Sequence, residues 1–318
     1  MISVVIPCYN CEAFVHRAVE SVLKQSFTNF EIILVDNGSS DNTREILDGY
    51  VKRFPNCIKI LTETKKGAPA ARNLGLQHAR GEWIQFLDAD DELFDRKLGV
   101  HAAIASQTSA DVISGAYFIK LTNNNMQSSK VNLVDTDVWM GLLTSRLGRT
   151  SSNLWRKSAI IDAGGWNEEK TSSQEYELMF RMLKINEKLD FCFQPLTIIH
   201  LTNESIHLTK SPTRNTEIVN NYVTLRQEIK EYLISINRLN SRLRRVADLS
   251  IYEYLMNHRG LIPGHIDLLL TKLQLNVTVS YLIRRKIFHF KARVFIGMKR
   301  YFERLVAIFL VFIFCYGQ

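Results

Sequence analysis

Residues 82–91 read Glu-Trp-Ile-Gln-Phe-Leu-Asp-Ala-Asp-Asp, an apolar run that ends in a cluster of carboxylates. Ionised carboxylates this close repel one another. A bound divalent cation removes the conflict, and Mg²⁺ favours one or two carboxylates plus substrate phosphate oxygens. Asp88, Asp90 and Asp91 therefore point to a metal–diphosphate site. Three further segments carry residues suited to a nucleotide. Ser-Val-Val-Ile-Pro-Cys-Tyr-Asn (3–10) offers the Tyr9 ring just beyond Pro7, which ends strand pairing. Val-Asp-Asn-Gly-Ser-Ser-Asp (35–41) puts Asp36 where a base or ribose edge can donate to it, although Asn-Gly-Ser-Ser-Asp is also ordinary turn and N-cap chemistry. Lys-Lys-Gly-Ala-Pro-Ala-Ala-Arg (65–72) starts a helix whose N-terminus attracts phosphate, with Arg72 in its first turns.

The elements that must hold these residues follow from periodicity. Ile2–Ile6, Phe30–Val35, Cys57–Leu61 and Trp83–Leu87 are short apolar runs. They alternate with helical spacings over Glu12–Gln25, Asp41–Phe54 and Pro69–Ala79. Such alternation predicts an α/β fold, a mostly parallel sheet sandwiched by helices. Ligands of such sheets collect at the carboxyl ends of the strands. Asp95–Gln107 reads as helix, Asp111–Leu121 as one further strand, and the polar, Asn- and Ser-rich 122–136 as a loop. Asp137–Leu143 and Ser173–Ile185 read as helices, and Leu189–Phe193 and Leu196–His200 as strands. From Pro212 the pattern is almost wholly helical, so the expected boundary lies near 210: a catalytic domain over 1–210 and a helical, basic extension over 211–318. There is no G-x-G-x-x-G and no Walker lysine loop, which disfavours dinucleotide oxidoreductases and P-loop enzymes.

The segments "VVIPCYN", "VDNGSSDNT", "GAPAARNLGLQHARGEWIQFLDADD", "GGWNE" and "QEYELMFRML" resemble the inverting nucleotide-sugar glycosyltransferases of family two, with a GT-A (Rossmann-like) fold. The resemblance covers roughly residues 1–205. It implies that Pro7, Tyr9 and Asp36 line a nucleoside pocket, usually for uridine, with Arg72 close by. Asp88-Ala89-Asp90 matches the family's D-x-D, with Asp88 near the ribose and Asp90 on a divalent cation, Mg²⁺ or Mn²⁺. The family's general base is the acid of a Glu-Asp pair that opens a helix. The matching pair here is Gln174-Glu175, so Glu175 falls at the catalytic position and Gln174 replaces an acid. Glu177, about 200° further round the helix, reads as a solvated face. Trp166 of Gly-Gly-Trp is the expected wall for an acceptor sugar. His200 and His207 match loosely a His or Arg element that the family has near the diphosphate. A binding or scaffold protein without activity is the alternative that Gln174 raises. A nucleotidyltransferase would need a basic, glycine-rich triphosphate loop near the N-terminus, and residues 1–20 have none.

Composition adds the partners. At 318 residues, 46% hydrophobic and 23% charged, the chain is ordinary globular material. Five cysteines form no disulfide framework and suit a reducing compartment. Cys8 and Cys11 make a C-x₂-C with no second pair, better explained as small residues in a tight turn than as a zinc or redox site. Residues 241–318 carry net charge +9 and residues 1–240 carry −1. Within 281–304, eight Lys or Arg alternate with aromatic and aliphatic residues, which suits an anionic membrane surface. The apolar run Leu305–Tyr316 has 12 residues, short of the roughly 20 needed to span a bilayer. Met1 leads directly into the first strand with no signal peptide. The expectation is a cytoplasmic enzyme, peripheral at the inner membrane, that moves a sugar from a nucleotide-sugar donor (a UDP-sugar before others) to a saccharide or lipid-linked acceptor in surface polysaccharide or glycolipid synthesis. Nucleic acid is not an expected partner for so apolar a tail.

Overall fold

The computed structural model describes residues 1–123, 126–202 and 211–278. Strands are β1 (Ile2–Cys8), β2 (Phe30–Asp36), β3 (Ile58–Thr62), β4 (Trp83–Phe86), β5 (Glu92–Leu93), β6 (Val112–Gly115), β7 (Tyr117–Asn123), β8 (Met126–Asn132), β9 (Leu154–Arg156), β10 (Leu189–Cys192) and β11 (Thr197–Thr202). Helices are α1 (Val15–Leu23), α2 (Thr43–Arg53), α3 (Ala68–His78), α4 (Lys97–Ala105), α5 (Val138–Thr144), α6 (Lys157–Asp162), α7 (Gln174–Ile185), α8 (Pro212–Ser235), α9 (Ser241–His258) and α10 (Pro263–Lys272).

Seven strands form the main sheet in the order β10-β6-β9-β4-β1-β2-β3. All its pairs are parallel except those of β9, which runs antiparallel between β4 and β6. β1 and β2 are buried along nearly their whole length because helices cover both faces, which explains why they read as unbroken apolar runs. From β1 the chain moves outward through β2 and β3, then returns to place β4 on the other side of β1. Strand order thus reverses at β1, where an open α/β sheet leaves a crevice at its carboxyl edge. Helix α3 approaches β1 closely through Gly75, where a Cβ would run into Val5.

Two expectations are corrected here. Asp111–Leu121 is not one strand: β6 belongs to the main sheet and β7 to a second sheet, ordered β5-β11-β7-β8. The chain changes sheets at Ala116, whose N–H donates to Cys192 O (2.8 Å). Residues 122–136 are not simply loop. β7 and β8 form a hairpin in register from Tyr117–Asn132 to Asn123–Met126. Its stability lies in backbone pairing at a sheet edge, so exposed polar residues such as Ser129 and Lys130 leave no core-facing alternation to read.

Asp137 caps α5 by accepting from Met140 N (3.0 Å). Lys97 of α4 is 1% exposed, donates to Ser152 O (2.7 Å) and lies 2.9 Å from His101 Nδ1. Burial pulls this lysine down to about 7, and burial with the Lys97 charge holds His101 well below an ordinary histidine.

The C-terminal helices do not pack apart from the rest. Leu225, Ile229 and Leu233 of α8 and Leu243 and Ala247 of α9 enter the same core as Trp139 and Leu142 of α5 and Phe180 and Leu183 of α7. Arg226, fully buried, donates to Leu143 O and Ser145 Oγ, and its guanidinium stacks 3.6 Å over the Tyr222 ring. Among the described residues no helix is long and apolar enough to cross a membrane. The proposed membrane segment 281–318 and His207 lie outside the described residues.

Candidate active site

A cleft of about 590 Å³ opens where strand order reverses at β1. Pro7, Tyr9, Arg72, Asp88 and Asp90 all line it, together with Cys8, Cys11, Asn37 and the Lys66–Ala68 turn. Tyr9, just past β1, is 54% exposed, so its ring is available to a ligand. Gly67, at φ +125°, makes the turn into α3 in a conformation that L side chains rarely adopt.

Asp36 is not among the lining residues. It is 5% exposed, accepts from Ser39 N (3.1 Å) and lies 4.0 Å from the Arg44 guanidinium. Its neighbour Asn37 lines the cleft instead. The Asn37 amide accepts from Gly67 N (2.7 Å) and donates to Glu63 O and Lys65 O, so it ties the end of β2 to the turn that begins α3. The sequence singled out Asp36; only the geometry shows that Asn37 is the stitch.

Arg72 is 5% exposed and organises the floor. It donates to Asp88 Oδ1 (2.7 Å) and Gln174 Oε1 (2.9 Å), and its guanidinium lies 4.6 Å over the Trp166 ring. Its Nε is buried without a protein partner. Gln174 Nε2 in turn donates to Lys170 O (2.8 Å). The Gln174 amide is therefore held at both its oxygen and its nitrogen, and the charge of Arg72 is left to Asp88.

Asp90 is pushed up to about 6, by burial first and then by the Asp88 carboxylate, with Arg17 opposing. Asp91 is 3% exposed and raised well above an ordinary carboxyl by burial, Asp88 and Asp90. It accepts from Ser151 Oγ (2.5 Å) and His200 N (3.2 Å), so it fastens the acidic turn to β11 and to the 3-10 turn Thr150–Ser152. His200 Nε2 lies 3.2 Å from Glu92 Oε2, and burial followed by Arg17 lowers its pKa.

These donors fit a hard divalent cation. Asp88 and Asp90 offer carboxylate oxygens whose crowding raises Asp90, and a cation there would relieve it. Among the described residues no three His, Cys, Asp or Glu form a closed metal cage.

Glu175 stands in the first turn of α7, after Ser173 at φ +56°. It is largely covered, with side-chain exposure of 15%, and lies 3.9 Å from an Arg149 guanidinium nitrogen. Arg149 carried no signal in the sequence. Glu177 is not a solvated face: its carboxylate is 12% exposed and pairs with Arg181 (2.7 Å), which also donates to Ala163 O and Gly165 O. The pair pins α7 to the glycine turn, because that side of the helix faces α6 rather than water.

Trp166 is corrected more sharply. It is 2% exposed and packs edge-on against Phe86 (5.1 Å) and beside Trp155 (5.9 Å). No face remains for an acceptor ring. Asn73 holds this turn by donating to Trp166 O (2.9 Å) and Glu168 Oε1 (2.8 Å) and accepting from Trp166 N (2.9 Å).

With this geometry in view, likeness to known proteins places the chain. WfgD of Escherichia coli, named as a UDP-Glc:alpha-D-GlcNAc-diphosphoundecaprenol beta-1,3-glucosyltransferase, is 35% identical over 162 residues, 48% of this chain and 62% of that protein. Matches to the first curated relatives span between 39% and 62% of those proteins' lengths. S. aureus TarS 1–349 in complex with UDP-GlcNAc superposes with TM-score 0.57 at 18% identity, covering 88% of this chain and 76% of that one. The mannosyltransferase PcManGT of Pyrobaculum calidifontis, in complex with GDP-Man and Mn²⁺, gives 0.56 at 14% identity, covering 89% and 82%. At such identities the superpositions establish the fold, which is GT-A. Residues 3–163, half of the chain, match the family described as glycosyl transferase family 2, and the protein belongs to that family.

Proposed function

We propose that the protein is an inverting, cation-dependent glycosyltransferase that moves a sugar from a nucleotide donor, a UDP-sugar before others, to a hydroxyl of a saccharide or lipid-linked acceptor in surface polysaccharide or glycolipid synthesis. The observation that carries this is the chain Asp88–Arg72–Gln174, which joins the acidic end of β4 to the helix turn bearing Glu175. Asp88, the candidate donor-binding carboxylate, is thus linked through Arg72 to the residue that precedes the candidate base.

The nucleoside lies along β1, between the exposed Tyr9 ring and the Asn37–Gly67 stitch. Asp88 and Asp90 would hold the cation, which when bound would offset the charge of the diphosphate. Arg72 holds the Asp88 carboxylate in place. Glu175 accepts the proton of the attacking hydroxyl, and Arg149 holds the carboxylate toward one side. A single displacement inverts the anomeric centre. Donor and acceptor types draw support from relatives: UDP-GlcNAc is bound by TarS, and WfgD is named for a UDP-Glc donor and a diphosphoundecaprenol-linked acceptor. The basic, aromatic 281–304 segment suits an anionic bilayer, which would place the enzyme at the cytoplasmic face of the inner membrane beside such an acceptor.

The test is Glu175→Gln with a panel of UDP-sugars and Mn²⁺. The variant should retain UDP affinity and lose sugar transfer by about 10²-fold or more. Transfer at the wild-type rate would remove Glu175 from the chemistry. A catalytically inactive scaffold, the alternative that Gln174 raises, is disfavoured by Asp88 and Asp90, both present in the cleft.

A further inference from the structure

Arg149 stands just before the 3-10 turn Thr150–Ser152, and its side chain is 44% exposed. A nitrogen of its guanidinium lies 3.9 Å from Glu175 Oε1. That is a charge contact, too long for a hydrogen bond. An arginine–carboxylate pair that serves stability alone frequently closes into a bidentate fork, and this one does not. Arginine carries five N–H donors, and the contact with Glu175 spends none of them. Burial works against the charge of Arg149, while Glu175 and then Tyr117 favour it. Neither Arg149 nor Glu175 is among the residues that line the nucleotide cleft, which has its own cations in Lys66 and Arg72.

The backbone beneath Arg149 is held from several sides. Tyr176, 3% exposed and next to Glu175 on α7, donates to Gly148 O (2.7 Å) and accepts from Leu147 N (3.3 Å). Asn153, fully buried, donates to Leu147 O (2.8 Å). Arg149 N donates to Ser152 Oγ (2.7 Å), and Ser152 N donates to Arg149 O (3.0 Å). The turn that follows is the one fastened to Asp91 through Ser151. An exposed cation is thus mounted on a fixed backbone beside the candidate base, so a ligand that binds it orders little main chain. We propose that Arg149 is the anion-recognising residue of the acceptor site, and that the acceptor carries a phosphate or carboxylate on, or next to, the sugar whose hydroxyl is attacked. This rests on the glycosyltransferase reading with Glu175 as base.

Distances set the size of the acceptor unit. The attacked hydroxyl must come within about 3 Å of the Glu175 carboxylate. An anionic oxygen bound to Arg149 sits about 3 Å from its guanidinium. With 3.9 Å between the two side chains, hydroxyl and anion are on the order of 10 Å apart or less. One sugar ring and a linking oxygen bridge such a span, so the anion belongs to the attacked sugar or to the group attached directly to it. The planar fork of arginine binds phosphate and carboxylate alike. A lysine in its place keeps the charge without the two parallel bonds.

The full chain is assayed with its best UDP-sugar and Mn²⁺ on matched acceptors. These are the neutral octyl glycoside, the octyl uronide and the octyl diphosphate ester of the same sugar, across common hexoses and N-acetylhexosamines. Wild type should prefer one anionic form over the neutral one by about tenfold or more in kcat/KM, chiefly through KM. Which form it prefers tells phosphate from carboxylate. Arg149→Gln should shrink that preference to within about threefold, and Arg149→Lys should retain part of it. The ratio is the readout because a residue that only holds Glu175 would slow all acceptors alike. No anionic preference in wild type, or a preference unchanged in Arg149→Gln, overturns the proposal. If no acceptor is glycosylated, calorimetry of the octyl diphosphate esters with UDP and Mn²⁺ in excess decides. Binding weakened by about tenfold or more in Arg149→Gln supports the anion site, and equal or no binding overturns it. Absence of UDP release from every donor as well would remove the glycosyltransferase reading itself.

Discussion

Arg72 and Gln174, 102 positions apart, share a 2.9 Å hydrogen bond, and through it α3 and α7 meet beneath Asp88. Arg72 is both a planar fork and a flat partner for the Trp166 ring. A lysine supplies neither the fork nor the stacking surface. Arg72→Lys should therefore lower kcat/KM by roughly 10–100-fold, the worth of one or two charge-assisted hydrogen bonds. Steady-state kinetics with the preferred UDP-sugar checks this. Loss in KM alone would assign Arg72 to donor binding without any link to α7.

Asp90 is the candidate cation ligand, and a carboxylate raised to about 6 binds a cation in competition with protons. Asp90→Asn should weaken Mn²⁺ binding in the presence of UDP by about tenfold or more. Wild-type affinity should fall as pH drops below about 6, while that of the variant stays flat. The Mn²⁺ electron paramagnetic resonance signal measures both.

Lys97 predicts a pH dependence of stability unrelated to catalysis. Its folded value is about 7, against about 10.4 in an unfolded chain. Between those values the unfolded chain binds a proton that the native one lacks, so native stability rises with pH across this window. Relative to Lys97→Met, wild type should gain about 3 kcal/mol between pH 7 and 9.5. Urea midpoints of the two proteins at both pH values read the difference; a constant gap would mean that the native lysine keeps its charge.

Trp166→Ala should cost about 3–5 kcal/mol of stability through the cavity it leaves against Phe86 and Trp155. Conditions that keep the variant folded should restore its acceptor KM to within a few-fold of wild type. A large acceptor KM change in fully folded variant would return Trp166 to the acceptor site.

Deleting 211–318 should leave residues 1–210 unable to fold, since it exposes the side of the core that Leu225, Ile229, Leu233 and Leu243 cover. Each such side chain contributes about 1.5–3 kcal/mol when buried. Circular dichroism and denaturant titration of the fragments 1–210 and 1–278 distinguish an integral helical layer from an appendage.

The sequence exposed the main sheet because its strands are buried on both faces and its helices are amphipathic, two patterns that periodicity detects. Five residues brought together at the cleft were legible because Pro7 and Tyr9 mark the end of β1, Asp88 and Asp90 follow β4 and Arg72 lies on the helix after β3, and the ends of these strands converge at a reversal of order. Contacts between distant segments were not. Nothing local marks Asn37 as the partner of Gly67 or Asp91 as the partner of Ser151; the i,i+4 spacing of Glu177 and Arg181 allows their pair, but not the covering of that helix side by α6. Trp166 misled because an aromatic beside two glycines suits a sugar platform and a core plug equally, and only its neighbours decide. The β7–β8 hairpin was missed because edge pairing requires no apolar alternation.

The shared core of α5, α7, α8 and α9 bears on engineering. A chimera could be made by grafting the C-terminal helices of one such enzyme onto the head of another. Here the seam of such a chimera would cut through interdigitated side chains, so a graft would succeed only if the recipient's α5 and α7 surfaces travelled with it.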